Sequence, residues 1–437
     1  MTRADKNVAN RFLQWARILL VFMVACAVSV AHFSTNLHAG ERQRSRDIPI
    51  PAAFFGMHIH HLATTTPWPD MRFGTWRLWD AYVAWPNLEP QQDKWDFTAL
   101  DKYVAAAEHN HVEVLLPLGL SPQWASSRPT EKSGYAPGNA APPAHLEDWQ
   151  QYVRAVATRY KGRIHYYEIW NEPNLSQFYT GPTPELVQLA KVAFTTLKEI
   201  DPTVVVCSPS ATNADGAKWL DQYLQYGGGN YADVIGFHFY VNPNPPEEMV
   251  PLIQKVEAVM QKNGIDKQLW NTESGWAIQG KQSVVNPAPG KGFNSIVLSE
   301  EQASAYLARA YILSWANGIS RFYWYSWDNK TMGLAEADGK TAKAPAKAYG
   351  ELENWLIGAR MGACQPDESG NWTCEITRDN IYHGWLLWNP NRTLEFRVPS
   401  NWGVRQERNL LAGPLKITSN QSVQIGQIPI LLENRIP

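Results

Sequence analysis

The 437-residue chain is expected to fold as an α/β protein, a (β/α)8 TIM barrel followed by a smaller C-terminal antiparallel β domain. Three observations predict this. From Phe54 to about Tyr325, short runs rich in β-branched and aromatic residues alternate with helix-like stretches, the signature of βα units around a parallel sheet. Eight such runs can be counted, and no Gly-rich phosphate turn follows the first, so a closed barrel is favoured over an open doubly wound sheet. After about Gly358 the helical stretches stop and short strands follow one another closely, as in an antiparallel domain.

The elements follow in order. Arg3, Lys6, Arg11 and Arg17 precede an apolar run from Ile18 to Ala31, shorter than the roughly 20 residues of a spanning helix. Residues 1–39 are therefore expected to be a signal peptide or N-terminal membrane anchor, and 40–53 a polar linker. The expected location is outside the cytoplasm: periplasmic, anchored to the inner membrane, or secreted. The barrel is expected over 54–357, with strands Phe54–Ile59, Gly74–Trp79, Val112–Pro117, Ile164–Trp170, Val204–Cys207, Val234–Phe239, Gln268–Thr272 and Arg321–Tyr325. Helices are expected over Thr98–Asn110, Leu146–Tyr160, Pro184–Ile200, Pro246–Asn263 and Ser299–Asn317, the last opened by the capping box Ser299-Glu-Glu-Gln302. A β-sandwich-like domain over 358–437 would use Trp372–Thr377, Tyr382–Trp388, Leu394–Val398 and Ser422–Gly426.

Composition narrows the function. With 39 basic and 41 acidic residues, the chain carries no long-range field to recruit nucleic acid. Twenty Trp and 18 Tyr supply flat apolar faces with a hydrogen-bonding edge, which suit the C–H faces and hydroxyl rims of sugars. Cys26 lies in the export segment and Cys207 in an apolar run, where a buried thiol is expected. Cys364 and Cys374 flank a Glu-Ser-Gly-Asn turn, and an oxidising compartment would let them form a disulfide.

Active sites of such barrels sit at the C-terminal ends of the strands. That rim holds His58 and His60, Arg77 and Asp80, Asn171 and Glu172, His238 and Tyr240, Glu273, and Trp327 with Asp328. Two glutamates end the fourth and seventh strands, in Ile169-Trp-Asn-Glu-Pro-Asn174 and Trp270-Asn-Thr-Glu-Ser-Gly-Trp276. A retaining glycosidase needs two facing carboxyls, one protonated to release the leaving oxygen and one ionised to attack.

With these segments the chain resembles the clan of retaining glycosidases whose acid/base lies on strand four and nucleophile on strand seven. Within the clan it is most similar to glycoside hydrolase family 39, particularly its bacterial exopolysaccharide-degrading members. The resemblance implies Glu172 as acid/base, Glu273 as nucleophile and Asn171 as the residue that binds the sugar 2-hydroxyl. It implies that Arg77, His238 and Tyr240 hydrogen-bond to the catalytic groups and that Trp327 is the platform under the sugar. His58 and His60 are expected to hydrogen-bond to sugar or to the catalytic carboxylates.

The expected substrate is a polysaccharide or oligosaccharide, with no cofactor, no metal and no nucleic-acid partner, and the chain is expected to be monomeric. Trp68, Trp76, Trp79, Trp85 and Trp124 on one side, with Trp276 and Trp327 on the other, suggest stacking subsites along a groove and hence endo action. An exo-acting glycosidase such as a β-xylosidase is the alternative. A metal-dependent amidohydrolase would use His58, His60, His238 and Asp328, but Ser208-Pro-Ser210 stands where its strand-five ligand is needed. A non-catalytic sugar-binding barrel would have lost a carboxylate. The β domain either packs against the barrel or binds carbohydrate through Trp372, Trp385, Trp388 or Trp402.

Overall fold

The structure, a computed structural model, describes residues 48–280, 296–379, 381–417 and 421–435. The expected export segment 1–39 and most of the linker lie outside the described residues. Eight parallel strands form the barrel: β1 Phe55–Met57, β2 Thr75–Arg77, β3 Glu113–Leu118, β4 Tyr166–Ile169, β5 Val205–Cys207, β6 Ile235–His238, β7 Leu269–Ser274 and β8 Ile319–Trp324. The ladder runs from β5 back through β4, β3, β2 and β1 to β8, β7 and β6. A parallel bridge between Cys207 and Val234 then brings β5 to β6 and closes the ring. Ala211–Thr212, just past β5, also pairs with Phe237 and His238 of β6.

These strands are buried on both faces and read as near-continuous apolar runs, as parallel strands covered by helices must. Helices α1 Thr98–His109, α2 Leu146–Arg159, α3 Thr183–Ile200, α4 Asn213–Gln225, α5 Met249–Lys262, α6 Glu300–Ala316 and α7 Ala344–Leu356 follow β2 to β8 in turn. The segment after β1 has no helix among the described residues. The capping box at α6 forms as expected: Gln302 N donates to Ser299 Oγ at 3.2 Å, and Ser299 N donates to Gln302 Oε1 at 3.0 Å.

The C-terminal part is a six-stranded antiparallel sheet with a two-stranded partner. Its strands are β9 Arg360–Pro366, β10 Trp372–Arg378, β11 Tyr382–Trp388, β12 Leu394–Arg397, β13 Gln406–Asn409, β14 Leu415–Lys416, β15 Ser422–Ile425 and β16 Ile430–Glu433. The large sheet has the order β9-β10-β11-β16-β13-β14, and β12 pairs with β15. Period-two alternation splits the large sheet between two cores. Leu386, Trp388 and Leu431 join the barrel core, whereas Trp385, Leu387, Ile430 and Leu432 face Val423 and Ile425 of the small sheet.

This sheet is thus a packing partner of the barrel. Trp388 is fully buried and its Nε1 donates to Glu247 of the barrel at 2.9 Å. Glu247 also accepts from Arg309 Nη1 at 3.0 and 3.2 Å. The other candidate sugar platforms are also engaged: Trp372 stacks on Trp388, and Trp385 on Trp402. Cys364 and Cys374 sit opposite each other in the β9–β10 register and are disulfide-bonded. Cys207 is a buried free thiol.

Candidate active site

Arg77, the last residue of β2, organises the centre of the rim. It is fully buried, and its Nε and Nη2 donate to the two oxygens of Glu168 on β4 at 2.6 and 2.9 Å. Nη1 donates to Glu273 Oε2 at 2.8 Å, and Nη2 also reaches Asn171 Oδ1 at 2.8 Å. Burial works against the Arg77 charge, but Glu168 and then Glu273 outweigh it, and the guanidinium is held charged. One planar fork therefore fixes a structural carboxylate, a rim carboxylate and the asparagine before Glu172.

Glu172 stands just past β4, where Trp170 and Glu172 both take left-handed backbone, with φ of 62° and 42°. Such backbone in non-glycine residues concentrates at functional sites. Glu172 N is held by Ser210 O at 2.9 Å, and its Oε1 lies 2.9 Å from His238 Nδ1. Glu273, the fifth residue of the six-residue β7, accepts from Tyr240 Oη at 3.0 Å as well as from Arg77. One oxygen of each glutamate and a ring nitrogen of His238 all lie within 4.8 Å of one another.

Burial pushes both carboxyls up, each to about 7, against the Arg77 charge at both and a Thr212 hydrogen bond at Glu172. The two are not equivalent. Glu273 is hydrogen-bonded to a cation and a phenol, whereas Glu172 meets His238, which burial lowers to about 4 and keeps neutral. These contacts favour the charge on Glu273 and the proton on Glu172.

The other rim residues sort by exposure. Arg77, His58 and His238 are each 0% exposed: Arg77 hydrogen-bonds Glu273 and His238 lies against Glu172, whereas His58 reaches the carboxylates through Arg77. His58 Nδ1 lies 3.1 Å from Trp324 O and its Nε2 3.1 Å from Arg77 Nη1. Burial and then Arg77 keep this ring neutral, so its proton goes to Trp324 O and its lone pair to Arg77. With both nitrogens engaged, His58 is not a metal ligand, and the amidohydrolase arrangement fails.

His60 lines a cavity beside the pair, and its Nε2 has no hydrogen-bond partner. Asp328 accepts from His60 N, His61 N and Thr66 Oγ1 at 2.8, 3.0 and 2.7 Å, which ties the loop after β1 to the end of β8. His60, His61 and Asp328 are close enough together to hold a metal, as are Glu172, His238 and Glu273.

Trp327 is 2% exposed, its Nε1 donating to Gly339 O at 3.0 Å, so it offers no ring face to a sugar. The aromatic at the end of β8 that lines the cavity is Tyr325, two residues earlier. The expected row of tryptophan platforms is not formed: Trp76, Trp85 and Trp276 are buried, Trp68 and Trp124 pack against the core, and only Trp79, itself 4% exposed, lines the cavity. Glu168, Tyr325 and Thr212 were not among the residues singled out from sequence. Glu168 had a signal, a charged residue inside an otherwise apolar buried strand.

Fold and site together define a closed α/β barrel with a carboxyl pair at its C-terminal rim. Residues 70–266 match the family model described as Glycosyl hydrolases family 39, and over that stretch the chain is similar to this family. The match takes in Arg77, Glu168, Asn171, Glu172, His238 and Tyr240 and ends before β7. Among curated proteins, a "Beta-xylosidase" of Geobacillus stearothermophilus is 22% identical over 195 residues, 39% of this chain and 38% of that protein. A "Beta-xylosidase" of Caldicellulosiruptor saccharolyticus is 30% identical over 146 residues, 30% of this chain and 29% of that protein. The chain thus spans well under half the length of these relatives.

Solved structures agree in fold. A family 39 glycoside hydrolase of Bacteroides cellulosilyticus WH2 superposes with a TM-score of 0.67 at 19% identity, over 89% of this chain and 81% of that one. A family 39 beta-xylosidase of Caulobacter crescentus gives 0.61 at 18%, over 89% and 98%.

Proposed function

We propose that the protein is a retaining glycoside hydrolase with Glu172 as acid/base and Glu273 as nucleophile. The observation that carries this reading is the carboxyl pair: oxygens within 4.8 Å, with the cation and phenol on Glu273 and a neutral imidazole on Glu172. Retaining enzymes hold their carboxyls about 5–5.5 Å apart, whereas inverting ones need roughly 6.5–9.5 Å to admit water. Glu273 attacks the anomeric carbon while Glu172 protonates the departing oxygen. Forming the glycosyl ester removes the charge on Glu273, the Glu172 pKa falls, and Glu172 takes a proton from the water that releases the sugar. With its carbonyl held by Arg77, the Asn171 amide can present N–H to a sugar hydroxyl.

The substrate in this reading is a polysaccharide cut internally, and the exopolysaccharide class is supported by the sequence resemblance. An exo-acting reading draws on the two relatives named as beta-xylosidases. A cavity of about 1000 Å³, lined by Asp80, Tyr82 and Tyr325 but by neither glutamate, supports a longer substrate, since it reaches the top of the roughly 300–1,000 Å³ range of small-molecule sites. Export is proposed with it, on the basic-then-apolar pattern of residues 1–39.

The test is a pair of variants. Glu273→Gln should abolish turnover of a folded protein. Glu172→Ala should keep activity on aryl glycosides with good leaving groups, and azide should raise it further. Near wild-type rates for both on polymer would move the chemistry to other residues.

A further inference from the structure

Left-handed backbone recurs at several turns of the rim, and the turn after β2 holds two such residues. Asp80 and Tyr82 both hold left-handed backbone, with φ of 56° and 57°. For a bulky residue such as tyrosine this conformation is a genuine outlier, sustained only where the surroundings impose it. Its effect is to give neighbouring side chains two tasks. Asp80 is partly buried, and its two oxygens accept the hydroxyls of Tyr135 and Tyr325, the latter at 2.6 Å. Tyr82 is 66% exposed and lines the same cavity.

The cavity lies on a definite side of the bond to be cut. Its lining comes from the segments after β8, β1, β2 and β3, whereas Glu172 is flanked by Ser210 and Thr212 after β5 and by His238 on β6. Tyr325 N donates to Ser274 O at 2.9 Å, one residue past Glu273, so this residue sits by the nucleophile. The leaving group must lie by the acid, Glu172. The cavity therefore faces the part of the substrate that stays bonded to Glu273.

Three features there await a ligand of sugar chemistry. Tyr82 offers an exposed ring at the mouth, Asp80 an acceptor carboxylate with no cationic partner among the described residues, and His60 a buried ring nitrogen without a partner. We propose that this cavity is a second glycone subsite, in which the Tyr82 ring stacks on a sugar and Asp80 accepts its hydroxyls. Asp80 and Asp328 line the cavity together with Lys330, so its charge is mixed, and the Asp80 carboxylate suits a sugar unit that donates hydroxyls. The inference rests on the glycosidase reading and deepens it.

The test uses 4-nitrophenyl β-glycosides of xylose, glucose and galactose, with the di- and trisaccharide glycosides of the series that is turned over. The aryl group fills the leaving-group side, so added sugars extend only into the cavity. kcat/KM should rise at least tenfold from the mono- to the disaccharide glycoside. Tyr82→Ala should remove most of that gain, Tyr82→Phe should restore it, and Asp80→Asn should reduce it. A gain that survives Tyr82→Ala, or no gain at all, overturns the subsite while leaving the catalytic pair standing. If the wild-type protein turns over no aryl glycoside and hydrolyses no polysaccharide either, the glycosidase reading falls and the subsite falls with it.

Discussion

Arg77 sits between Glu168 and Glu273 with no exposure, so its replacement leaves two carboxylates buried without their cation. Arg77→Met should cost about 3–5 kcal/mol of stability and, in whatever folds, move the acid limb of kcat/KM to higher pH, because Glu273 loses the charge that lowers its pKa. A denaturant midpoint and a pH profile check both halves. Wild-type kcat/KM should be bell-shaped around pH 7, falling in acid as Glu273 is protonated and in alkali as Glu172 is deprotonated. Glu172→Ala should lose the alkaline limb. The same shift bears on stability. A carboxyl raised from 4.5 to about 7 stays protonated in the fold while the unfolded chain ionises, so stability declines as pH rises through that window. Glu172→Gln should therefore stabilise by about 1–3 kcal/mol at pH 8 and far less at pH 5. Equal melting temperatures for the two proteins at pH 8 would contradict this. Sequence could point to Glu172 and Glu273 because their strand ends and flanking residues are local features. It could not show that Tyr325, rather than Trp327, faces the cavity, since two positions on the same face of a rim turn differ only in depth.

At the scale of elements, all eight barrel strands were legible, because each is a short apolar run bounded by polar or Gly-containing turns. Helices Asn213–Gln225 and Ala344–Leu356 were not. The first opens Asn-Ala-Asp-Gly and the second contains Pro345 and Gly350, which blur helical periodicity, and packing against the sheet overrides the local weakness. The tryptophans misled for a related reason: composition counts rings without showing where they point, and most fill the layer between strands and helices. Within the β domain, the face of β11 toward the barrel carries the coupling. Trp388→Ala should cost about 3–5 kcal/mol through a cavity and a lost hydrogen bond to Glu247. Chemical denaturation followed by near-UV dichroism would show it. A loss under about 1 kcal/mol would mean that the sheet does not brace the barrel.

For the whole molecule, the barrel supplies a rigid ring on which residues from β2, β4, β6 and β7 meet within hydrogen-bond reach. The large β-sheet packs against it through Leu386, Trp388 and Leu431. In this reading the reaction is completed by side chains alone, so activity should survive prolonged EDTA treatment. A loss that zinc or another divalent ion restores would point to His60, His61 and Asp328 instead. The reading of the carboxyl pair as a retaining pair makes a sharper demand, because it requires two displacements at the anomeric carbon and so a product of unchanged configuration. The most direct test is proton NMR of the first-formed sugar during hydrolysis of a β-glycoside, read before mutarotation. The account predicts the β-anomer as the initial product, with the α-anomer growing in later. An initial α-anomer would mean inversion, and Glu273 would not be the nucleophile.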